Sequence, residues 1–362
     1  MKTRLALALA VLATVILAAS ACEDEHRRTP PGKLLGGGGA CEAPPGVVPE
    51  PDCDSSSRAC AVVPGCTIDE ARCGASATCL PIGDNRGKDV VDLRLRRLNI
   101  AAPASLASAV IQNTIVNQNL ELDARGCAER GTGLFTWLLR VDRRTSTLVT
   151  GGAPPSDDPF GRGFCFASFS LGAIAVAPLE AKIAFEGDAF RLVERTNVNI
   201  PIFTSTALSS AIVLPIRGVR LEGVTLSEGG NCIGAFNTAA LDPSCGEDRD
   251  LCAKWTTGGA LGGYITLAEA DTVDIREINK SLCAYLAAET SATCTRDASG
   301  SIAFKGDYCS KDDQPGGCQD SVWLAATFAA SAARIFDGRG TVEGCSGVTA
   351  ALPDAGSDAA RQ

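Results

Sequence analysis

Apolar and polar residues alternate along much of this chain. Val91, Leu93 and Leu95 alternate with Asp92, Arg94 and Arg96, the period-two pattern of a strand with one buried face. Similar runs, rich in Phe, Val, Ile and Thr, recur at Leu134 to Val141, Thr147 to Thr150, Phe164 to Ala175, Ala181 to Phe185, Phe190 to Glu194, Val198 to Phe203, Ile212 to Ile216 and Val219 to Leu226. Gly, Pro and Asp bound them, and Pro154-Pro155, Gly187-Asp188 and Gly229-Gly230 read as turns. The links are too short for the crossover that parallel neighbours require, so antiparallel pairing is expected.

A period near 3.6 appears twice. Ser105 can cap a helix carrying Leu106, Val110, Ile111 and Ile115. A second helix is expected from Asp271 or Thr272, with Ile275, Ile278, Leu282 and Leu286 as its stripe. Val322 to Phe336 fits both periods: its alanines favour helix, while Trp323, Ala325, Thr327 and Ala329 fit one face of a strand. Strand is preferred, as a closing member of the sheet. The glycines around Gly258 to Gly263 lack dinucleotide-loop spacing and read as backbone crowding or a tight turn. The fold class expected is mainly β (α+β): an antiparallel sheet or sandwich with one or two packed helices, preceded by a small disulfide-rich module.

The start of the chain has a different pattern. Lys2 and Arg4 precede an unbroken apolar run, Leu5 to Leu17, and then the small residues Ala18-Ala19-Ser20-Ala21. This is the charge, apolar and small-residue order of a secretory signal, too short for a spanning helix and followed at once by Glu23, Asp24 and Glu25. The segment from Leu17 to Cys22 resembles a bacterial lipobox, departing from the usual pattern at Ala19, where Leu is commonest. The resemblance implies cleavage before Cys22, a lipid on its thiol and partnership with a membrane through that anchor. It implies an extracytoplasmic location on a bacterial membrane, the outer membrane by preference. Cysteine parity agrees: the chain has 17 cysteines, and setting Cys22 aside leaves 16, an even set able to pair completely.

The organisation expected is therefore a signal peptide over residues 1–21, a lipidated flexible tether over 22–52, a small Cys-rich module over 53–88 to which Cys41 can belong, a β-rich stapled body over 89–345, and a disordered tail over 346–362. The tether reading rests on its Pro and Gly density, including Gly36 to Gly39. Cys41, Cys53, Cys60, Cys66, Cys73 and Cys79 lie among few large apolar residues, so disulfides must hold that segment. Cys127, Cys165, Cys232, Cys245, Cys252, Cys283, Cys294, Cys309, Cys318 and Cys345 staple the body, and Cys232 to Cys252 reads as a cross-linked loop. The pairing is not fixed by sequence. No CxxC occurs, which argues against thioredoxin-like chemistry and the common zinc ribbons.

Charge and histidine content narrow the function. The net charge of −9 disfavours nucleic acid, whose binding depends on neutralising phosphates. The one basic run, Arg94-Leu95-Arg96-Arg97, falls in the alternating strand and reads as a solvated sheet face. The only histidine, His26, lies in the tether, so a Ser-His-Asp or Cys-His system in the body is excluded, as are His-containing zinc and iron sites. Carboxylate chemistry remains: Asp157-Asp158, Glu247-Asp248-Asp250 and Asp312-Asp313 are acidic groups in turn-like stretches, read as surface residues. Asp312, Asp313 and Asp320 read as a solvated loop rather than a cation site. No catalytic residue, metal site or cofactor is assigned. A binding or structural module with a protein or envelope partner is preferred. A carrier of an apolar ligand and a carboxylate-based hydrolase are the alternatives.

Overall fold

A computed structural model of the chain describes residues 61–63, 66–67, 81–108, 110–122, 131–172, 174–236, 255–338 and 342–345. The lipobox cysteine Cys22, the tether, the tail and Cys41, Cys53, Cys60, Cys73, Cys79, Cys127, Cys245 and Cys252 lie outside the described residues. Of the expected Cys-rich module, Ala61–Val63 and Cys66–Thr67 form a small antiparallel pair.

The alternating runs build a mainly β body from eight long strands. In chain order they are β1 (Val90–Ala102), β2 (Trp137–Asp142), β3 (Thr147–Gly152), β4 (Leu179–Glu186), β5 (Ala189–Leu192 and Thr196–Phe203), β6 (Ala211–Glu222 and Val224–Thr225), β7 (Gly259–Thr266) and β8 (Ser321–Ala332). Each pairs antiparallel with the next. The last then pairs with the first, Phe328 opposite Leu98 and Ala332 opposite Leu93. The sheet is thus curled into a closed up-and-down barrel, which removes the unpaired edges of an open sheet. Both segments of β5 keep one register against β6, with Phe190 opposite Val224 and Phe203 opposite Ala211. The two runs expected around Arg217-Gly218 are continuous across that dipeptide, with a bulge between Arg217 and Arg220.

Inward positions form the main core: Val91, Leu93 and Leu95 from β1, Trp137 and Leu139 from β2, Val198 and Ile200 from β5, Leu261 from β7, and Leu324, Ala326 and Phe328 from β8. Eight strands enclose a space just wide enough for side chains to fill. Here the residual cavity, lined by residues of every strand, is about 10 Å³, scarcely room for one water. Outward positions of β4 are Glu180, Lys182 and Glu186, all exposed, the reverse of a barrel that faces lipid. Among the described residues no helix is long and apolar enough to cross a membrane.

Three short helices close the end of the barrel where β1 and β7 finish. The first, α1, is a π-helix over Val110–Asn117 continued by Gln118–Leu120. It starts later than Ser105, and its Ile111, Val116 and Leu120 join the barrel core. The helix expected from Asp271 onward is absent. In its place α2 (Leu267–Ala270), a tight hairpin pairing Asp274–Ile275 with Lys280–Ser281, and α3 (Leu282–Leu286) follow one another. Asn279 adopts a left-handed conformation (φ 52°) that ends any helix there, and Ser281 restarts one by accepting a hydrogen bond from Ala284 N–H. Ile278, counted in the expected stripe, is exposed. The ambiguous alanine-rich segment is a strand, as preferred. It sits centrally, between β7 and β1, because closure leaves it no edge.

A second apolar layer covers part of the outer wall: Ile82, Leu122, Leu138, Phe164, Phe166, Ala333 and Ile335. This layer overturns the solvated reading of the arginine run. Arg94 and Arg96 are 0% and 1% exposed, and Arg97 is also buried. A bulge in β1, where Leu95 faces Ala330 and Arg97 faces Ala329, makes Arg96 the extra residue of that ladder and returns Leu98 to the interior. Only Phe169–Leu171 and Ile174–Val176 of the expected run after Phe164 are strand, a small hairpin against β5.

Disulfides staple the segments around the barrel. Cys165 is bonded to Cys345, Cys283 to Cys294 and Cys309 to Cys318, and Cys232 is disulfide-bonded too. The glycines near Gly258 answer to crowding rather than to a turn: a Cβ on Gly259 would lie 2.7 Å from the Phe328 ring.

Candidate functional site

Buried charge lies on the barrel's outer wall. The Arg94 guanidinium donates to the Phe135 and Leu95 carbonyls and to Thr136 Oγ1, and lies 5.2 Å from the Phe164 ring centre. Arg96 lies over Trp255, 5.7 Å from its ring centre, and Trp255 meets Phe236 edge-on. Arg140 forms a two-pronged bond to Asp92 at 2.6 and 2.9 Å and also donates to the Ile335 carbonyl. Its hydrogen bond to Asp92 raises its pKa against the opposing effect of burial, and the Asp92 charge adds to the rise. Arg94 and Arg140 thereby fasten the second layer to the barrel through Phe164 and Ile335.

The acidic stretches are structural too. Asp158 accepts from the N–H groups of Gly161 and Arg162, closing a turn. Glu247, Asp248 and Asp250 lie outside the described residues. Asp271 accepts from Ser281, Cys294 N–H and Arg296 at 2.8–2.9 Å. It lies near the sulfurs of Cys283 and Cys294, and Asp320 lies near those of Cys309 and Cys318. All four sulfurs are in disulfides, so neither group supplies the thiolates a metal takes up. The carboxyls of Asp142, Glu289, Asp297 and Asp320 are each shifted down. A glycosidase acid needs the opposite.

Asp320 shows why, and it gives a test. Burial pushes its carboxyl up, but hydrogen bonds from Ser310 N–H, Ser310 Oγ and Ser321 Oγ outweigh that and hold it below the ordinary range. A carboxyl with a lowered folded-state value contributes stability fully above the unfolded value, and the contribution disappears as pH falls through the folded one. Melting curves taken downward from about pH 5 should therefore fall steeply below about pH 4. Asp320→Asn should have a lower melting temperature at neutral pH and a shallower acid decline. An acid decline identical to that of the parent protein would show that Asp320 carries none of it.

One cluster on the outer wall combines rings and charges with partial exposure. Tyr264 on β7 stacks on Tyr308 at 5.2 Å, and Tyr308 meets Trp323 on β8 at 4.9 Å. The Arg220 guanidinium of β6 lies 5.3 Å from the Trp323 ring centre. Antiparallel register sets this arrangement, since Tyr264 is directly opposite Trp323 and Arg220 is opposite Gly262. A Cβ at Gly262 would lie 2.9 Å from the Trp323 ring, so glycine there lets the indole lie close to the strand. Tyr308 is buried, while Tyr264, Trp323 and Arg220 are half-buried. The Tyr308 hydroxyl donates to Asp313 at 2.6 Å, and Asp313 is ion-paired with Arg195 and Arg220. Asp313 is thus held between arginines, not in the solvated loop expected. Sequence reading passed over this site because its residues are scattered. The pairing of β6, β7 and β8, with the short strand of Tyr308 docked on Ser321, brings them together.

A groove of about 320 Å³ beside it is lined by Thr225, Thr256, Thr257, Thr327 and Glu222. It offers hydroxyls and one carboxylate, with no aromatic wall.

The fold and the site define a class: a disulfide-stapled up-and-down barrel, filled inside, whose chemically varied surface is on its outer wall. No family model, no curated protein and no solved structure matches the chain.

Proposed function

We propose that the chain is a lipid-anchored extracytoplasmic module that binds a partner on the outside of its barrel. The observation that carries this reading is the filled interior. The cavity between the inward side chains of all eight strands holds about 10 Å³, against the several hundred Å³ of an ordinary ligand pocket. That disfavours a carrier of apolar ligands and leaves recognition to the outer wall and its pinned loops. The anchoring half rests on the run ending at Cys22 and on the even number of the other cysteines.

Two measurements test the two halves. The Cys22→Ala variant should move from the membrane pellet to the soluble fraction; a variant that stays in the pellet refutes the lipid anchor. Native mass spectrometry of a form lacking residues 1–22 should give a bare chain lighter by 16 hydrogens, one for each remaining cysteine. A co-purified apolar molecule refutes the filled-barrel reading, and several free thiols refute the full disulfide set.

A further inference from the structure

We propose that Arg195, Arg220 and Tyr308 form a cradle for the carboxylate of an acidic sugar, held closed by the chain's own Asp313. This rests on the reading that recognition takes place outside the barrel.

Three observations converge on the cradle. First, its arms come from different parts of the fold. Arg195 lies between the two segments of β5, Arg220 is on β6, and Tyr308 precedes β8. All three reach one carboxylate, Asp313, which belongs to a short loop closed by the Cys309–Cys318 disulfide. Asp313 has φ 52°, a left-handed conformation uncommon for a residue with a side chain. Second, two guanidiniums face a single carboxylate. The neighbouring Arg217 has its own acid, Glu269, at 2.6 Å, so Glu269 is already engaged. The Arg220 Nε–H is buried and meets no acceptor among the described residues, a donor left over after Asp313 is bound. Third, the rings of Tyr264, Tyr308 and Trp323 wall the cradle on one side.

The occupant's chemistry follows from what already fits. Planar guanidiniums take carboxylates in two-pronged fashion, and the cradle holds one now. A ligand that displaces Asp313 must bring a carboxylate of its own. The aromatic wall favours a ligand with an apolar ring face beside that charge. A sugar carrying a carboxylate has both. Asp313 then acts as an internal competitor, and the external carboxylate binds only the fraction of molecules in which the loop has swung away.

The test is calorimetric titration of glucuronate into the detergent-solubilised full chain, with glucose and acetate as controls. Asp313→Ala should bind glucuronate at least about tenfold more tightly than the parent chain, if the closed loop is populated to about nine-tenths. Adding Arg195→Ala, an exposed position, should abolish the gain. Glucose should not bind. Asp313→Asn keeps the acceptor for Tyr308 and serves if the alanine variant does not fold. Variants that melt cooperatively yet show no saturable binding overturn the cradle. Acetate binding as tightly as glucuronate overturns the sugar assignment. Either failure leaves surface recognition standing, whereas an apolar molecule found inside the purified barrel would refute that reading without bearing on this titration.

Discussion

Replacing Arg94 with alanine should destabilise the protein by about 3 kcal/mol or more. The side chain is fully buried and donates to two carbonyls and the Thr136 hydroxyl. Its removal strands those acceptors away from water, at about 1–3 kcal/mol for each that finds no new partner. It also leaves a hole beside Phe164, whose ring the guanidinium covers. Arg94→Lys should recover little, because an ammonium lacks the planar fork that meets several acceptors at once. Urea unfolding measures both. A solvated arginine would change stability by less than about 0.5 kcal/mol, so a near-neutral result would restore the surface reading and contradict the second layer.

The next largest effect is expected inside the barrel. Phe328 on β8 is 2% exposed and packs over Gly259 on β7, its partner in register. Phe328→Ala should cost about 3–5 kcal/mol, from lost burial and the cavity left behind. Gly259→Ala should cost about 1–3 kcal/mol by the opposite route, since its new methyl would lie 2.7 Å from the ring. The two should not add. Gly259→Ala in a Phe328→Leu background should cost less than in the parent chain, because the smaller side chain yields to the methyl. Strict additivity across that double-mutant cycle would show that the two side chains do not share the space described.

Much of the fold is legible in the sequence because strand formation here follows a local alternation. Val91, Leu93 and Leu95 announce β1, and short links announce antiparallel neighbours. Closure is not legible in that way. The pairing of β1 with β8 joins distant residues, and nothing local in either strand records it. The same limit explains the arginine run. Alternation shows that Arg94 and Leu95 point to opposite faces, but whether the polar-looking face is wet depends on Phe164 and Ile335, far along the chain. The expected helix at 271–286 failed for a different reason. A three-and-four spacing of Ile and Leu is compatible with a helix, but Asn279 breaks the backbone in its middle. At the candidate site the residues were visible singly. Tyr264, Tyr308 and Trp323 are among the few aromatic residues able to hydrogen-bond, and the glycines before Tyr264 read as backbone crowding or a tight turn. Their meeting depends on register.

Joining the first strand to the last also constrains how this protein comes into being. A chain that emerges from its N-terminus presents β1 well before β8, yet each needs the other to complete its ladder. Until β8 emerges, one edge of β1 has unpaired backbone groups, and such an edge can recruit a strand from another nascent chain. Pairings this distant in sequence also form slowly. The barrel therefore gains its protection against aggregation only once β8 has paired with β1, and a chain cut before Ser321 leaves that edge open.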